Sequence, residues 1–191
     1  MKHQITLTTV MIFFLAVVSY SQSTPAYPQA FVSMDDYELL IQELKKQRSK
    51  SLISFDKFNE MKEDKNTIIL DTRSREMYTL RHIEGAINLP FTEFSLLNLQ
   101  ALIPDTDTRI LIYCNNNFTG DQVHFLSKIG PSRKNKSTTM KKAESKPVML
   151  ALNIPTYINL YGYGYEKVFE LDELVDVNDS RLELKSAFLL K

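Results

Sequence analysis

The chain has 191 residues, and 23 Lys and Arg stand against 23 Asp and Glu, a balance that removes the usual electrostatic case for a nucleic-acid or membrane-surface partner. With 43% hydrophobic residues and only 5 Gly and 7 Pro, it can bury a core and is neither disordered nor fibrous, so one domain is expected and two at most. A single Cys excludes a disulfide scaffold and a cysteine-based zinc site, each of which needs several sulfurs, and leaves Cys114 to be explained as a lone thiol.

Lys2 opens the chain, an apolar run extends from Val10 to Val18, and Ser19 and Ser21 put small residues at the two positions a signal peptidase reads. Residues 1–21 therefore read as an export signal cleaved after Ser21. The apolar run is shorter than the ~20 residues that span a bilayer, so no stable membrane anchor is expected and the mature chain is placed in the periplasm or outside the cell. Removing Lys2 leaves 22 basic and 23 acidic groups, a net charge of −1.

Residues 22–50 read as a linker followed by a helix. Ser33 and Asp36 make a capping-box-like start, Leu39, Leu40, Ile41 and Leu44 form an apolar stripe, and Lys45, Lys46 and Arg48 close it. Ser54 is a second N-cap, with Phe55, Phe58 and Met61 at helical spacing. Thr67 to Leu70 is a consecutive apolar, β-branched run, as a strand buried on both faces should be, and it stops at Asp71. A short helix at Arg75 to Leu80, a brief strand at Ala86 to Pro90 and a helical turn or two at Leu96 to Leu102 follow. Ile110 to Tyr113 is the second consecutive apolar strand, with Cys114 at its carboxyl end.

After Asn115 to Thr119, the spacing predicts a helix over Gly120 to Lys128 with Val123, Leu126 and Ile129 inward. From Lys128 to Pro147 the composition shifts to seven basic residues against Glu144 alone, which reads as a solvated insertion at about 130–147. Helical spacing returns with Ala151, Ile154, Ile158 and Tyr161, Gly164 occupies the stop position, and Val168 to Leu171 is a strand. Strands alternating with helices imply a single α/β domain over 51–178, a mostly parallel sheet with helices on both faces, and a tail at 179–191.

Ligands of open parallel sheets bind beyond the carboxyl ends of the strands, and Cys114 stands there. A loop wrapped over a helix N-terminus points N–H groups at one centre and favours an anion, hence a nucleophilic thiolate. His124 is expected on a helix surface or boundary. Two histidines in the mature chain and no carboxylate cluster at ligand spacing give no support for a metal, and no cofactor is expected. A phosphatase-type loop needs an Arg six positions after its Cys, where this chain has Gly120, and a thiol–disulfide oxidoreductase needs a resolving Cys.

The run Ile69-Leu70-Asp71-Thr72-Arg73, with Tyr78 and His82-Ile83-Glu84-Gly85-Ala86-Ile87-Asn88-Leu89-Pro90, resembles the rhodanese-like family. That family shows Asp-x-Arg after its first buried strand and a His-Ile-x-Gly-Ala-x-Asn-x-Pro segment. Ile110 to Thr119 is similar to its apolar strand ending in the catalytic Cys of a six-residue loop, and Gly164 to Leu171 to its closing Gly-Tyr-x-x-Val-x-x-Leu. The resemblance implies a sulfurtransferase moving sulfane sulfur through a Cys114 persulfide. Thiosulfate, a polysulfide or a persulfide would be the donor, and a thiol or cyanide the acceptor. It implies Asn115, Asn116, Asn117, Phe118, Thr119 and Gly120 as the substrate-binding loop and Asp71, Arg73 and His82 as supporting residues. Asn115 stands where the family often has Arg or Lys, and Arg81 where Gly is usual, so a dianionic donor is held mainly by backbone dipoles here. A low-turnover binding module on the same fold, acting through its loop or the basic insertion, is the alternative from a different class.

Overall fold

In the computed structural model, residues 27, 28, 30–130, 148, 149 and 151–187 are described, with backbone alone at 129, 130, 148 and 149. The expected signal segment and residues 131–147 of the basic insertion lie outside the described residues. The described residues from Asp35 onward form one compact unit.

The elements are, in order, α1 (Met34–Ser51), β1 (Leu52–Ile53), α2 (Phe55–Lys62), β2 (Thr67–Asp71), α3 (Arg75–Leu80), β3 (His82–Ile83), β4 (Ala86–Asn88) and α4 (Leu96–Leu102). After them come β5 (Arg109–Tyr113), a 3-10 turn at Asn115–Asn117, β6 (Phe118–Thr119), β7 (Ile129–Gly130), β8 (Val148–Met149), α5 (Asn153–Gly162), β9 (Val168–Leu171), β10 (Val175–Asp176) and β11 (Leu184–Lys185). The main sheet runs β1-β9-β5-β2-β4, and every neighbouring pair is parallel. The predicted class, a mostly parallel sheet with helices, is the observed one. No helix of the described residues is long and apolar enough to cross a membrane.

Alternation along the three inner strands, β2, β5 and β9, decides what covers each face. Ile69, Leu111, Tyr113 and Leu171 point to one side, where Phe55, Phe58 and Met61 of α2 meet Phe118 and Phe125. Leu70, Ile110, Ile112 and Val168 point to the other, against Leu44 of α1, Leu99 of α4 and Tyr157, Ile158 and Leu160 of α5. Both faces are apolar, so β2 and β5 read as unbroken apolar runs. Register then places Asp71 opposite Tyr113 and Asn88, and Ile112 opposite Glu170, which lines up the carboxyl ends of β4, β2, β5 and β9 on one edge.

Ser54 caps α2 as predicted, its hydroxyl accepting the Lys57 N–H at 3.2 Å. Gly164 stops α5 at φ +91, a left-handed conformation that a side chain rarely adopts, and the Tyr165 N–H turns back to the Leu160 carbonyl at 3.0 Å. Helix α1 runs farther than the sequence suggested. Leu40 and Leu44 face inward, whereas Leu39 and Ile41 are exposed, so the inward stripe is narrower than expected.

The helix predicted over Gly120 to Lys128 is absent. The Asp121 side chain takes the N–H groups of Val123 and His124, at 3.2 and 3.1 Å, and so offers the backbone a local turn in place of a helix. Phe125 enters the core, while Val123 and Leu126, expected inward, are exposed. Gly120 has φ +89, and a Cβ there would sit 3.1 Å from Val177 Cγ2, so the chain turns sharply where a helix would start.

Candidate active site

Cys114 follows β5, the middle strand of the sheet, and is fully buried. Beyond it, Asn115–Asn117 make a single 3-10 turn closed by the Asn117 N–H on the Cys114 carbonyl at 3.0 Å. Asn115 and Asn116 then anchor the turn to residues 126–128, and Asn117 anchors it to the end of β9 and the start of α5. Asn115 Nδ2 donates to the Leu126 carbonyl at 3.0 Å. Asn116 Oδ1 accepts the Lys128 N–H at 2.7 Å. Asn117 Oδ1 accepts the Cys114 N–H at 2.9 Å and Asn153 Nδ2 at 3.0 Å, while its Nδ2 donates to the Leu171 carbonyl at 2.7 Å.

Asn117 therefore fastens the cysteine to the end of β9 and to the first turn of α5. The anion-favouring helix start expected from the residues just after the loop is supplied instead by α5, from beyond the insertion. Leu152, at the start of α5, donates its N–H to Cys114 Sγ at 3.3 Å, and the positive end of a ten-residue helix faces the sulfur. The structure gathers Cys114, Asn115, Asn116 and Asn117. Phe118 is in the core and Thr119 in β6, paired to β10, with Gly120 at the turn that follows.

Of the three residues expected to support the site, Asp71 ends β2, Arg73 follows it two positions on and His82 opens β3. Asp71 and Arg73 are buried, and Arg73 Nε and Nη2 lie 3.0 and 2.6 Å from the Asp71 oxygens. Arg73 also donates to the carbonyls of His124 and Arg81, at 3.2 and 2.6 Å, and its guanidinium lies 4.7 Å from the centre of the Phe125 ring. Burial works against the Arg73 charge, and Asp71 more than offsets it, so its proton is held above the usual arginine value. Tyr113, the residue before Cys114, donates its hydroxyl to Asp71 and accepts the Ile83 N–H at 3.2 Å. Burial and the Asp71 charge push that phenol well up. His82 stacks on Tyr78 at 3.9 Å and holds the Tyr78 carbonyl through Nδ1 at 2.6 Å.

His124 is not on a helix. Its Nδ1 faces the Asp121 carboxylate at 2.7 Å, and Arg81 pairs with the same carboxylate. Burial raises the Asp121 carboxyl, but the backbone N–H and ring of His124 together with Arg81 bring it down to about 2.

A second buried pair went unforeseen. Arg48 of α1 grips Glu170 of β9 with Nε and Nη2 at 2.8 and 2.7 Å. Burial raises the Glu170 carboxyl above its usual value, against the pull of Arg48 and Asn153. No sequence signal links residues 122 positions apart. Leu152 and Asn153 were also missed, although Pro155 in the next positions marks the first turn of a helix. Among the described residues no group of three His, Cys, Asp or Glu side chains is arranged to hold a metal ion.

A parallel sheet with a turn-bound cysteine at the carboxyl end of its middle strand defines an α/β protein with a thiol site at the strand edge. Residues 54–173 match the rhodanese-like domain, and the chain belongs to that family. No curated protein matches it. Among solved structures it is similar to a rhodanese with anions from E. coli, at 18% identity over 63% of this chain and 98% of that one, TM-score 0.37. It is also similar to the Rhodanese_3-like domain of the Alr3790 protein from Anabaena sp, at 21% identity over 56% and 76%, TM-score 0.33. The BH2092 protein from Bacillus halodurans shows 14% identity over 80% and 87%, TM-score 0.43.

Proposed function

We propose that the chain is a sulfurtransferase in which the Cys114 thiolate takes sulfane sulfur from a small donor and passes it to a thiol. The observation that carries this reading is the contact between Cys114 Sγ and the Leu152 N–H at the positive end of α5, in a member of the rhodanese-like family. In the first half-reaction Sγ attacks the outer sulfur of the donor. The bond from that sulfur to the rest of the donor breaks, and the electron pair leaves with the donor fragment, sulfite in the case of thiosulfate. Cys114 is left as a persulfide anion. In the second, an acceptor thiolate attacks the terminal sulfur, the Cys114 S–S bond breaks with its pair returning to Sγ, and the acceptor leaves as a persulfide.

Asn115 brings no cation to the loop, which favours a polysulfide or persulfide over thiosulfate as donor. Sγ is buried, so turnover requires its cover to open. These same two features, the uncharged loop and the covered thiol, favour a second reading as a binding module with little turnover. Thiocyanate formation from polysulfide and cyanide decides between them: turnover by the wild type that is lost in Cys114→Ser supports the transferase, and no turnover by either leaves the binding module. On the first reading residues 1–21 direct export, and N-terminal sequencing of the mature protein should begin at Gln22. A chain that retains Met1 contradicts export.

A further inference from the structure

Cys114 and the start of α5 are joined by a closed ring of bonds. Asn117 Oδ1 accepts the Cys114 N–H at 2.9 Å and Asn153 Nδ2 at 3.0 Å, which uses both of its lone pairs. Leu152, the residue before Asn153, donates its N–H to Cys114 Sγ at 3.3 Å and closes the ring. The Asn117 amide is itself fixed from its other end, where Nδ2 donates to the Leu171 carbonyl at 2.7 Å. One side-chain oxygen therefore sets where the first turn of α5 stands against the cysteine backbone, across 36 positions of sequence. Helix α5 has no side-chain N-cap of its own, so the sulfur is the acceptor that its N-cap N–H meets.

Asn153 stands there at a cost to the fold. It is buried, and its Oδ1 is sealed from solvent with no hydrogen-bond partner. An apolar group of the same shape would strand no acceptor, so stability alone does not call for an amide at this position. Its Nδ2 is the part in use, donating to Asn117 and drawing on Glu170 as well. The rest of α5 is tied elsewhere. The Thr156 and Thr72 hydroxyls share a hydrogen bond at 2.9 Å and those of Tyr157 and Ser51 one at 3.1 Å, and neither bond includes Cys114. On the elements around the ring the charged and titratable groups are Asp71 with Arg73, Tyr113 on Asp71, Glu170 with Arg48, and Asp172 and Glu173 beyond β9. All of them stay in place when residue 153 alone is changed.

Resting on the sulfurtransferase reading, we propose that Asn153 is a positioning residue for sulfur transfer: through Asn117 it holds the N–H at the start of α5 against Cys114 Sγ, and so holds the sulfur as the thiolate that attacks the donor. A hydrogen bond donated to the sulfur favours the charged form over the thiol, and this one is kept only while α5 is pinned to the cysteine turn. Asn153 itself takes no proton and forms no bond to the donor. The electron pair on Sγ attacks the outer donor sulfur as set out above.

Thiolate formation can be read apart from sulfur transfer by titrating the full chain and following its ultraviolet thiolate absorbance, taken as the difference between each chain and its Cys114→Ser counterpart. Uptake of sulfur from polysulfide is timed by intact mass over the same pH range. In Asn153→Leu, of similar volume but without a donor, the midpoint of thiolate formation is expected to rise by about one unit, the equivalent of one hydrogen bond to a charged atom. Loss of the donation to Glu170 acts with the opposite sign, since a less charged carboxyl nearby favours the thiolate. Sulfur uptake is expected to fall about tenfold on the acid side of the wild-type midpoint and to rejoin the wild type at high pH, a change of profile that a general weakening of the fold does not give. Asn153→Ala carries the same test if the leucine fails to pack. Tyr157→Phe removes the bond from α5 to Ser51, and is expected to lower the urea midpoint while leaving the pH profile as in the wild type. A thiolate midpoint unmoved or lowered in the Asn153 variants, or raised equally by Tyr157→Phe, overturns the role given to Asn153. A wild type that takes up no sulfur, with the midpoint still raised in Asn153→Leu, overturns instead the transferase reading beneath it.

Discussion

Two buried ion pairs flank Cys114, and they differ in closure. Asp71 and Arg73 lie two residues apart at the end of β2, almost without exposure, and every arm of the guanidinium is used on a carboxylate or a backbone carbonyl. Arg48 and Glu170 come from α1 and β9, the arginine is partly exposed, and the pair lines a cavity beside an unpartnered Asn153 oxygen. The first is a frame that fixes the carboxyl ends of β2 and β5 under the cysteine. The second borders an opening, the cavity it helps to line. A fully satisfied polar network rigidifies its surroundings, whereas a polar atom left unpaired in a buried one costs stability.

Breaking the frame should have the largest effect. Arg73→Leu strands the Asp71 carboxylate without water or a counter-charge, and a loss of about 3–5 kcal/mol in urea unfolding is expected. A loss under about 1 kcal/mol would contradict the role assigned to the pair. Tyr113→Phe removes only the hydroxyl that joins Asp71 to the Ile83 N–H, and should cost about 1–3 kcal/mol. On the open side, Glu170→Gln keeps an acceptor for Arg48, and the guanidinium can reach water, so a smaller loss of about 1–2 kcal/mol is expected. A loss equal to that of Arg73→Leu would erase the distinction between frame and opening.

Much of the frame was legible and little of the opening was. The Asp71 and Arg73 pair is local in sequence and belongs to a recognisable motif, and the β-branched runs at Thr67 and Ile110 announce strands covered on both faces. The Arg48 and Glu170 pair depends on how α1 crosses the sheet, which no local pattern encodes. The failure at Gly120 to Lys128 has a different cause. Periodicity at Val123, Leu126 and Ile129 suited a helix, but the Asp121 carboxylate takes over the backbone N–H groups a helix would use, and Phe125 under Arg73 fixes the other conformation. Consequently the helix start facing Cys114 comes from beyond the insertion, where composition gave no reason to look.

The smallest expected effect is an acid-dependent one beside the frame. The Asp121 carboxyl is lowered to about 2 in the fold from an ordinary 3.8, so its pairs with Arg81 and His124 add stability that is complete above about pH 4 and is lost as pH falls through 2. Asp121→Asn should therefore flatten the pH dependence of unfolding between pH 4 and 2, by roughly 1 kcal/mol or less given that Arg81 and His124 are about one-third exposed. An unchanged slope over that window would place the acid sensitivity elsewhere.

The central claim, that Cys114 is a sulfur carrier held at the start of α5, is tested most directly by the intact mass of the purified protein after incubation with polysulfide. A gain of one sulfur atom on the wild type, absent from Cys114→Ser and removed by cyanide, is expected. A wild-type mass that does not change, with Cys114 still open to alkylation after unfolding, would contradict sulfur transfer and leave the site as a binding surface.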